Sequence, residues 1–159
     1  MTPIPRRMTH DHDGELVVFL IGMRINNWAR PDLWVPTVMA MPPMLRELAS
    51  DPDSGMIGFR VFGFPRRPTV LQYWTSVDKL YDYASDPGAE HRPAWRAYNR
   101  RTRKAKGAVG IWHETYAVAH AESIYVGMPP TGLGAATGLQ PVTSRSDRAR
   151  QRFAAGRAD

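Results

Sequence analysis

The chain has 159 residues, 43% of them apolar and 23% charged, with a formal net charge of +6 and no cysteine. That is the size of one domain able to bury a core, and the missing cysteines exclude disulfides and thiolate chemistry. The opening stretch "MTPIPRRMTHDHDGE" has no apolar leader region, and the strongest apolar run, Leu16 to Ile21, is far too short to cross a membrane. The expectation is a soluble, cytoplasmic protein.

Residues 1–13 are polar and are expected to be disordered ahead of a single domain over 14–139. Glu15 to Ile25 is an apolar, β-branched run that predicts a strand. From Pro31 to Ser50, Trp34, Val38, Met41, Leu45 and Leu48 recur at intervals of four and three, the stripe of an amphipathic helix. Pro42 and Pro43 must kink or split it, because proline lacks the N–H donor and clashes with the preceding turn. "DPDSG" turns the chain into a second strand, Met56 to Phe64, and "PRRP" leads to a third, Thr69 to Trp74.

Ser76 is placed to cap a short helix running through Ala84, and a further helix is predicted from about His91 to Ala105. Ala108 to Val118 is the fourth strand. Glu122 to Met128 could be extended, and "MPPTGLGAATG" reads as loop. Residues 140–159 are expected to be a disordered basic tail.

The positive charge is split between that tail and a predicted helix end. Five arginines against two aspartates lie between Pro141 and Asp159, and Arg100, Arg101, Arg103, Lys104 and Lys106 close the helix. Cations suit a helix C-terminus, and no nucleic-acid-binding motif is present. Nucleic acid and membrane are therefore not expected as partners.

The element order β-α-β-β-α-β predicts an α+β, ferredoxin-like antiparallel sheet with both helical layers on one face. Successive strand side chains point to opposite faces. Odd positions (Phe19, Ile21, Met23, Ile57, Phe59, Val61, Leu71, Tyr73, Ile111, His113) are almost all apolar and suit the face under the helices. Even positions mix Phe62, Trp74, Trp112 and Tyr116 with Arg24, Arg60, Gln72 and Glu114. Aromatics on a face the helices cannot reach need another cover, and a second copy of the sheet is the economical one. A homodimer follows, and with it two sheets forming a barrel.

Within "AVGIWHETYAV", strand alternation separates His113 from Glu114, so they cannot form one dyad. Nor is this a zinc-protease helix motif, since Ala117 stands where the second histidine is required. Glu114 shares its face with Arg24 and Arg60, which predicts a buried ion pair or network. His113 falls on the apolar face, as a core histidine or a functional one. "AEHRPAWRAYN" puts His91, Trp95 and Tyr98 on one helix face, and Pro93 places His91 in or just before the first turn. There it could close the helix end, accept a proton or bind iron. Met39, Met41 and Met44 with Trp34 read as core, with an adaptable pocket lining as the alternative.

The stretches "GMRINNW", "AMPPMLREL", "QYWTSVDKLYDYA", "HRPAWRAYN", "VGIWHETY" and "SIYVGMPPTGL" together resemble the fumagillin-pathway monooxygenase-like family. That family lies in the dimeric α+β barrel superfamily, alongside the antibiotic-biosynthesis monooxygenases. The resemblance runs from about Phe19 to Ala136. It implies a ligand between helices and sheet, in a superfamily that includes cofactor-free oxygenases, haem-degrading enzymes, aldoxime dehydratases and chlorite dismutases. Asn26 and Asn27 resemble an asparagine that several relatives place beside the substrate, and Trp95 resembles a helix tryptophan of theirs, although its spacing to His91 differs.

The expected activity is a monooxygenase-type oxidation of a small apolar or aromatic substrate. His113, Asn26, Tyr73 and Trp95 are the candidate catalytic residues. The alternatives are a haem enzyme with His91 or His113 as axial ligand, and a ligand-binding dimer without catalysis. Whether the cofactor is haem or none stays open at this point.

Overall fold

A computed structural model describes residues 2–103 and 105–155. Lys104 of the basic cluster and residues 156–159 of the tail lie outside the described residues. In chain order the elements are β1 (Met8–His10), β2 (Leu16–Ile25), α1 (Pro31–Met39), α2 (Met41–Ser50), β3 (Met56–Phe62) and β4 (Thr69–Trp74). They continue with α3 (Val77–Ser85), α4 (His91–Thr102), β5 (Val109–Val118), α5 (Leu133–Thr137), β6 (Leu139–Pro141) and α6 (Ala149–Ala155).

The main sheet has the order β3-β4-β2-β5, antiparallel throughout. With α1 to α4 in the two crossovers this is the α+β, ferredoxin-like arrangement. The helix expected over Pro31 to Ser50 is split at Ala40. The break puts Pro42 and Pro43 in the first turn of α2, where a missing N–H interrupts no helical bond. At the start of α3 the Ser76 hydroxyl accepts the Lys79 N–H at 3.1 Å, an N-cap that ties down one of the helix's orphan donors.

Two clusters hold the helices to the sheet. One joins Met23, Ile25 and Val109 to Leu33, and the other joins Val17 and Trp74 to Leu48 and Leu80. They lie at opposite ends of β2. Between them Ile21 faces the helices, with Phe19 at the margin of the second cluster, and a cavity opens there.

Strand parity holds for β2, β3 beyond its bulge, and β5, but it is reversed in β4. Ile21 pairs with Val70 and with His113, and Phe19 with Gln72 and Thr115. Cross-strand partners share a face, so Val70, Gln72 and Trp74 lie under the helices while Leu71 and Tyr73 lie on the outer face. The assignment of Trp74 outward and Tyr73 inward is therefore corrected. The connection between β3 and β4 sets a register in which even positions oppose odd ones, and a one-residue difference in register exchanges the two faces of a strand. Trp74 is fully buried, and its indole N–H donates to the Gln72 side chain at 2.9 Å.

The termini are also corrected. Instead of a disordered N-terminus and tail, β1 and β6 pair as a two-stranded ribbon, and Met8 bridges to Tyr125. Short α5, within the stretch read as loop, packs on the outer face of β3. There a Cβ on Gly58 would come within 2.6 Å of the Ala136 Cβ. Arg152 of α6 is 7% exposed and donates from Nε to Glu122 at 2.6 Å, and from its terminal nitrogen to the Ser146 and Asp147 carbonyls. The composition of the tail is poor in large apolar residues, so the ordering of its described part draws on hydrogen bonds and two ion pairs, Arg152 with Glu122 and Asp147 with Arg7, which hydropathy does not register.

Candidate functional site

The cavity between helices and sheet has a volume of about 530 Å³. This is within the usual range for small-molecule sites, which are concave and mostly apolar with a few polar groups. Its floor is the sheet: Phe19, Ile21, Val70, Ile111, His113 and Thr115. Its roof comes from α1 and α2 (Thr37, Val38, Met41, Met44) and from α3 and α4 (Leu80, Tyr81, His91, Trp95, Tyr98, Arg101). Among the described residues, no aspartate or glutamate lines it.

The helix α4 wall follows from helical periodicity. His91, Ala94, Trp95, Tyr98 and Arg101 fall within one stripe of the 3.6-residue repeat. His91 is the first residue of α4, as Pro93 requires. Trp95 stacks on Tyr98 with ring centroids 5.5 Å apart, and the His91 ring stands 6.4 Å from that of Tyr83. Across the cavity the His113 ring lies 5.7 Å from Phe19. Thus two histidines 22 positions apart face the same space.

Several polar groups near this space are already engaged. The Tyr98 hydroxyl donates to the Val109 carbonyl at 3.0 Å, and the Thr37 hydroxyl to the Leu33 carbonyl at 2.8 Å. Burial pushes the Tyr98 phenol above its ordinary range, which keeps it in the donating form. Tyr83, behind His91, donates to Glu47 at 2.8 Å, and the same carboxylate accepts the Glu90 N–H at the start of α4. Burial first, then the hydrogen bond to Glu47, drives the Tyr83 phenol far up. That pair pins α3 and α4 to α2 at the end of the cavity where His91 sits.

Two atoms of the lining, His91 Nδ1 and Arg101 Nε, are buried and make no hydrogen bond among the described residues, and the same holds for His120 Nδ1 outside the cavity. Arg101 was assigned to the basic helix end in the sequence; its place in the stripe of His91, Trp95 and Tyr98, three positions past Tyr98, is the signal that marks it as a cavity residue.

Two expected site residues are elsewhere. Asn26 follows the last residue of β2, and its amide donates to the Gly107 carbonyl at 2.9 Å. It fastens the end of β2 to the turn before β5 and does not line the cavity. Tyr73, through the reversed parity of β4, lies on the outer face under α5, its hydroxyl 3.4 Å from where a Cβ on Gly132 would stand. Burial raises its phenol, with Tyr125 adding to the shift and Arg60 opposing it. Glu114 is exposed and accepts the Tyr116 hydroxyl at 2.8 Å. No ion pair among the described residues joins it to Arg24 or Arg60, so the buried network expected there is corrected as well. Arg60 shares a cross-strand row with Glu114 but lies on the opposite edge strand, with β4 and β2 between them, and Arg24 pairs with Gly110, four positions away from Glu114 on β5. Of Met39, Met41 and Met44, the last two line the cavity, as does Met23, whereas Met39 is exposed.

The histidines also test the haem alternative. A ligating imidazole usually holds its second nitrogen on a carboxylate, a carbonyl or a water, which orients the ring toward the metal. His91 Nδ1 has no such partner. The imidazole hydrogen bonds among the described residues belong to His10 and His12, not to His91 or His113. No carboxylate or carbonyl among the described residues therefore orients either imidazole for an axial role. Among the described residues there is also no cluster of three or more histidine, aspartate or glutamate side chains able to hold a metal ion.

A model of the monooxygenase af470-like family matches residues 16–133, which spans every cavity-lining residue. No curated protein matches the chain in sequence. Among solved structures, an aldoxime dehydratase in complex with butyraldoxime superposes with a TM-score of 0.64 at 16% identity, covering 84% of this chain and 40% of the enzyme. The chain thus spans less than half the length of that relative. SnoaB, a cofactor-independent oxygenase from Streptomyces nogalater, aligns at 12% identity with a TM-score of 0.47, covering 66% of this chain and 94% of the other. A dimeric protein of ferredoxin-like fold from Bacteroides fragilis aligns at 14% identity with a TM-score of 0.45, covering 65% and 96%. The aldoxime dehydratase superposition supports the fold. No helix among the described residues is long and apolar enough to cross a membrane.

Proposed function

The chain belongs to the monooxygenase af470-like family, and we propose that it is a cytoplasmic homodimer that oxidises a small apolar or aromatic molecule with dioxygen. The observation that carries this reading is the apolar cavity of about 530 Å³ with His91 and His113 both in its lining. An imidazole can take a proton from a substrate C–H or O–H acidified by conjugation. The resulting anion is rich enough in electrons to react with dioxygen directly. Against apolar walls, one fixed polar group acts more strongly on that anion than it would in water. For a methylene substrate the balance is methylene plus dioxygen giving carbonyl plus water. Phe19, Val70, Ile111 and Trp95 supply the apolar walls that hold the ring system.

The homodimer is supported by the outer sheet face. Phe62, Trp112 and Tyr116 are 47%, 39% and 51% exposed there, more aromatic surface than a water-facing sheet usually carries. A second sheet against it would complete a barrel.

An oxygen electrode tests the activity. With anthrone, whose methylene is acidic, the wild-type protein should consume dioxygen above the spontaneous rate and yield anthraquinone and water. His113→Ala and His91→Ala should each slow the reaction by roughly a hundredfold if that imidazole is the base. If anthrone and related acidic methylene compounds quench tryptophan fluorescence on binding but consume no dioxygen, the protein is a ligand-binding dimer instead.

A further inference from the structure

Among the described residues, Arg101 is the one fixed charge in the cavity lining. It is half-buried, its Nε is closed off and unpartnered, and no ion pair among the described residues includes it. An isolated cation beside apolar walls is costly unless an anion meets it. The neighbours that could serve do not: among the described residues the lining has no carboxylate, and the Tyr98 hydroxyl is turned to the Val109 carbonyl. The other arginines of α4 are not part of the cavity lining: Arg96 and Arg100 are exposed, and Arg92 donates to the Ser85 carbonyl at 3.4 Å. Arg101 is the exception, turned to the sheet side by its place in the stripe.

We infer that Arg101 is the anion-binding group of this cavity and that the ligand is an apolar molecule carrying one anionic oxygen group, a carboxylate or a stabilised enolate or phenolate. The guanidinium offers a planar fork of donors matched to such a group. Ten positions separate His91 from Arg101, about 15 Å along the axis of α4, so the two polar groups stand at opposite ends of the roof. A ligand anchored at Arg101 lies along Tyr98 and Trp95 and presents its far end to His91. This inference deepens the proposed function, since it rests on the cavity being the ligand site.

The test compares two probes of one shape, 2-naphthoate and 2-naphthamide, titrated into the full-length protein with tryptophan fluorescence and calorimetry as readouts. Wild type should bind the carboxylate at least about tenfold more tightly than the amide, the scale of one hydrogen bond to a charged group. Arg101→Gln should bind the two alike, through loss of carboxylate affinity with amide affinity kept, and Arg101→Lys should restore part of the preference. Equal affinities in wild type overturn the inference, as does a preference that survives in Arg101→Gln. If the amide binds and the carboxylate gains nothing, the cavity reading stands and Arg101 has lost its role. If neither binds, the cavity reading itself has failed. The wild-type comparison decides by itself should Arg101→Gln not fold.

Discussion

The Trp112 indole lies flat across Gly22: a Cβ built on Gly22 would sit 2.6 Å from Trp112 Nε1. The two residues are cross-strand partners on the outer face of the sheet. A glycine at the partner position lets a large ring lie down on the backbone, which presents a flat apolar surface away from the helices. Trp112→Glu puts a charge in the middle of that surface. The variant should run as a monomer or aggregate in light scattering where wild type runs as a dimer. A wild-type monomer at micromolar concentration would remove the dimer from the proposal. Gly22→Ala should act in the same direction, by lifting the ring.

Glu114 lies on the same face, yet its partner is the Tyr116 hydroxyl and not an arginine. In Glu114→Gln the amide oxygen can still accept that hydrogen bond. The expected loss of stability is under about 1 kcal/mol, as for an exposed polar pair. A melting temperature lowered by ten degrees or more would mean that the carboxylate meets a cation of the second subunit.

Arg152 and Glu122 are expected to matter more. Arg152→Met leaves Glu122 without its partner and frees the Ser146 and Asp147 carbonyls. Breaking a buried pair costs about 3–5 kcal/mol, with the lower end expected because Glu122 keeps a quarter of its side-chain exposure. Each kcal/mol corresponds to a melting shift of roughly 2–4 °C in a domain of this size. A scan showing no shift, or a chain truncated after Leu139 that melts unchanged, would mean that the tail contributes nothing.

The pH dependence has two arms with opposite signs. Tyr83, Tyr73 and Tyr98 all have phenols raised in the fold. The folded chain then keeps protons that the unfolded chain gives up near pH 10, so stability falls as pH climbs past about 10. His10 goes the other way. Burial, with His12 adding to it, lowers its imidazole in the fold, where Nδ1 lies 2.8 Å from the Ser123 hydroxyl. The unfolded chain takes up a proton near pH 6.5 that the folded chain resists, so stability is lost as pH drops through that value. Denaturant midpoints at pH 5.5 and 7.5 should differ in wild type and differ less in His10→Gln. Equal differences in the two proteins would assign the acid arm to another group.

Haemin titrated into the protein should give no saturable Soret shift that depends on either histidine. Neither His91 nor His113 has the acceptor behind its ring that a ligating imidazole uses. A Soret band lost specifically in His91→Ala would restore the haem reading and overturn the argument from the unpartnered Nδ1.

What could be read from the sequence is what local backbone geometry dictates. A period of 3.6 put His91, Trp95 and Tyr98 on one wall, a period of 2 separated His113 from Glu114, and Thr69 to Trp74 was bounded without error as a strand. These patterns depend on neighbours a few positions away, so they survive without knowledge of the fold. The tertiary structure decided everything that depends on pairing across distance. The register of β4 turned Trp74 inward and Tyr73 outward, because a strand's faces are assigned by its partners and not by its numbering. Asn26 was drawn to the Gly107 carbonyl, and the chain after Leu139 found β1 and Glu122, contacts between segments more than 25 residues apart. Arg101 belonged by its charge to a solvated helix end. Only the sheet packed opposite α4 made it the cation of an apolar cavity, because burial is a property of what stands across from a side chain and not of the side chain itself.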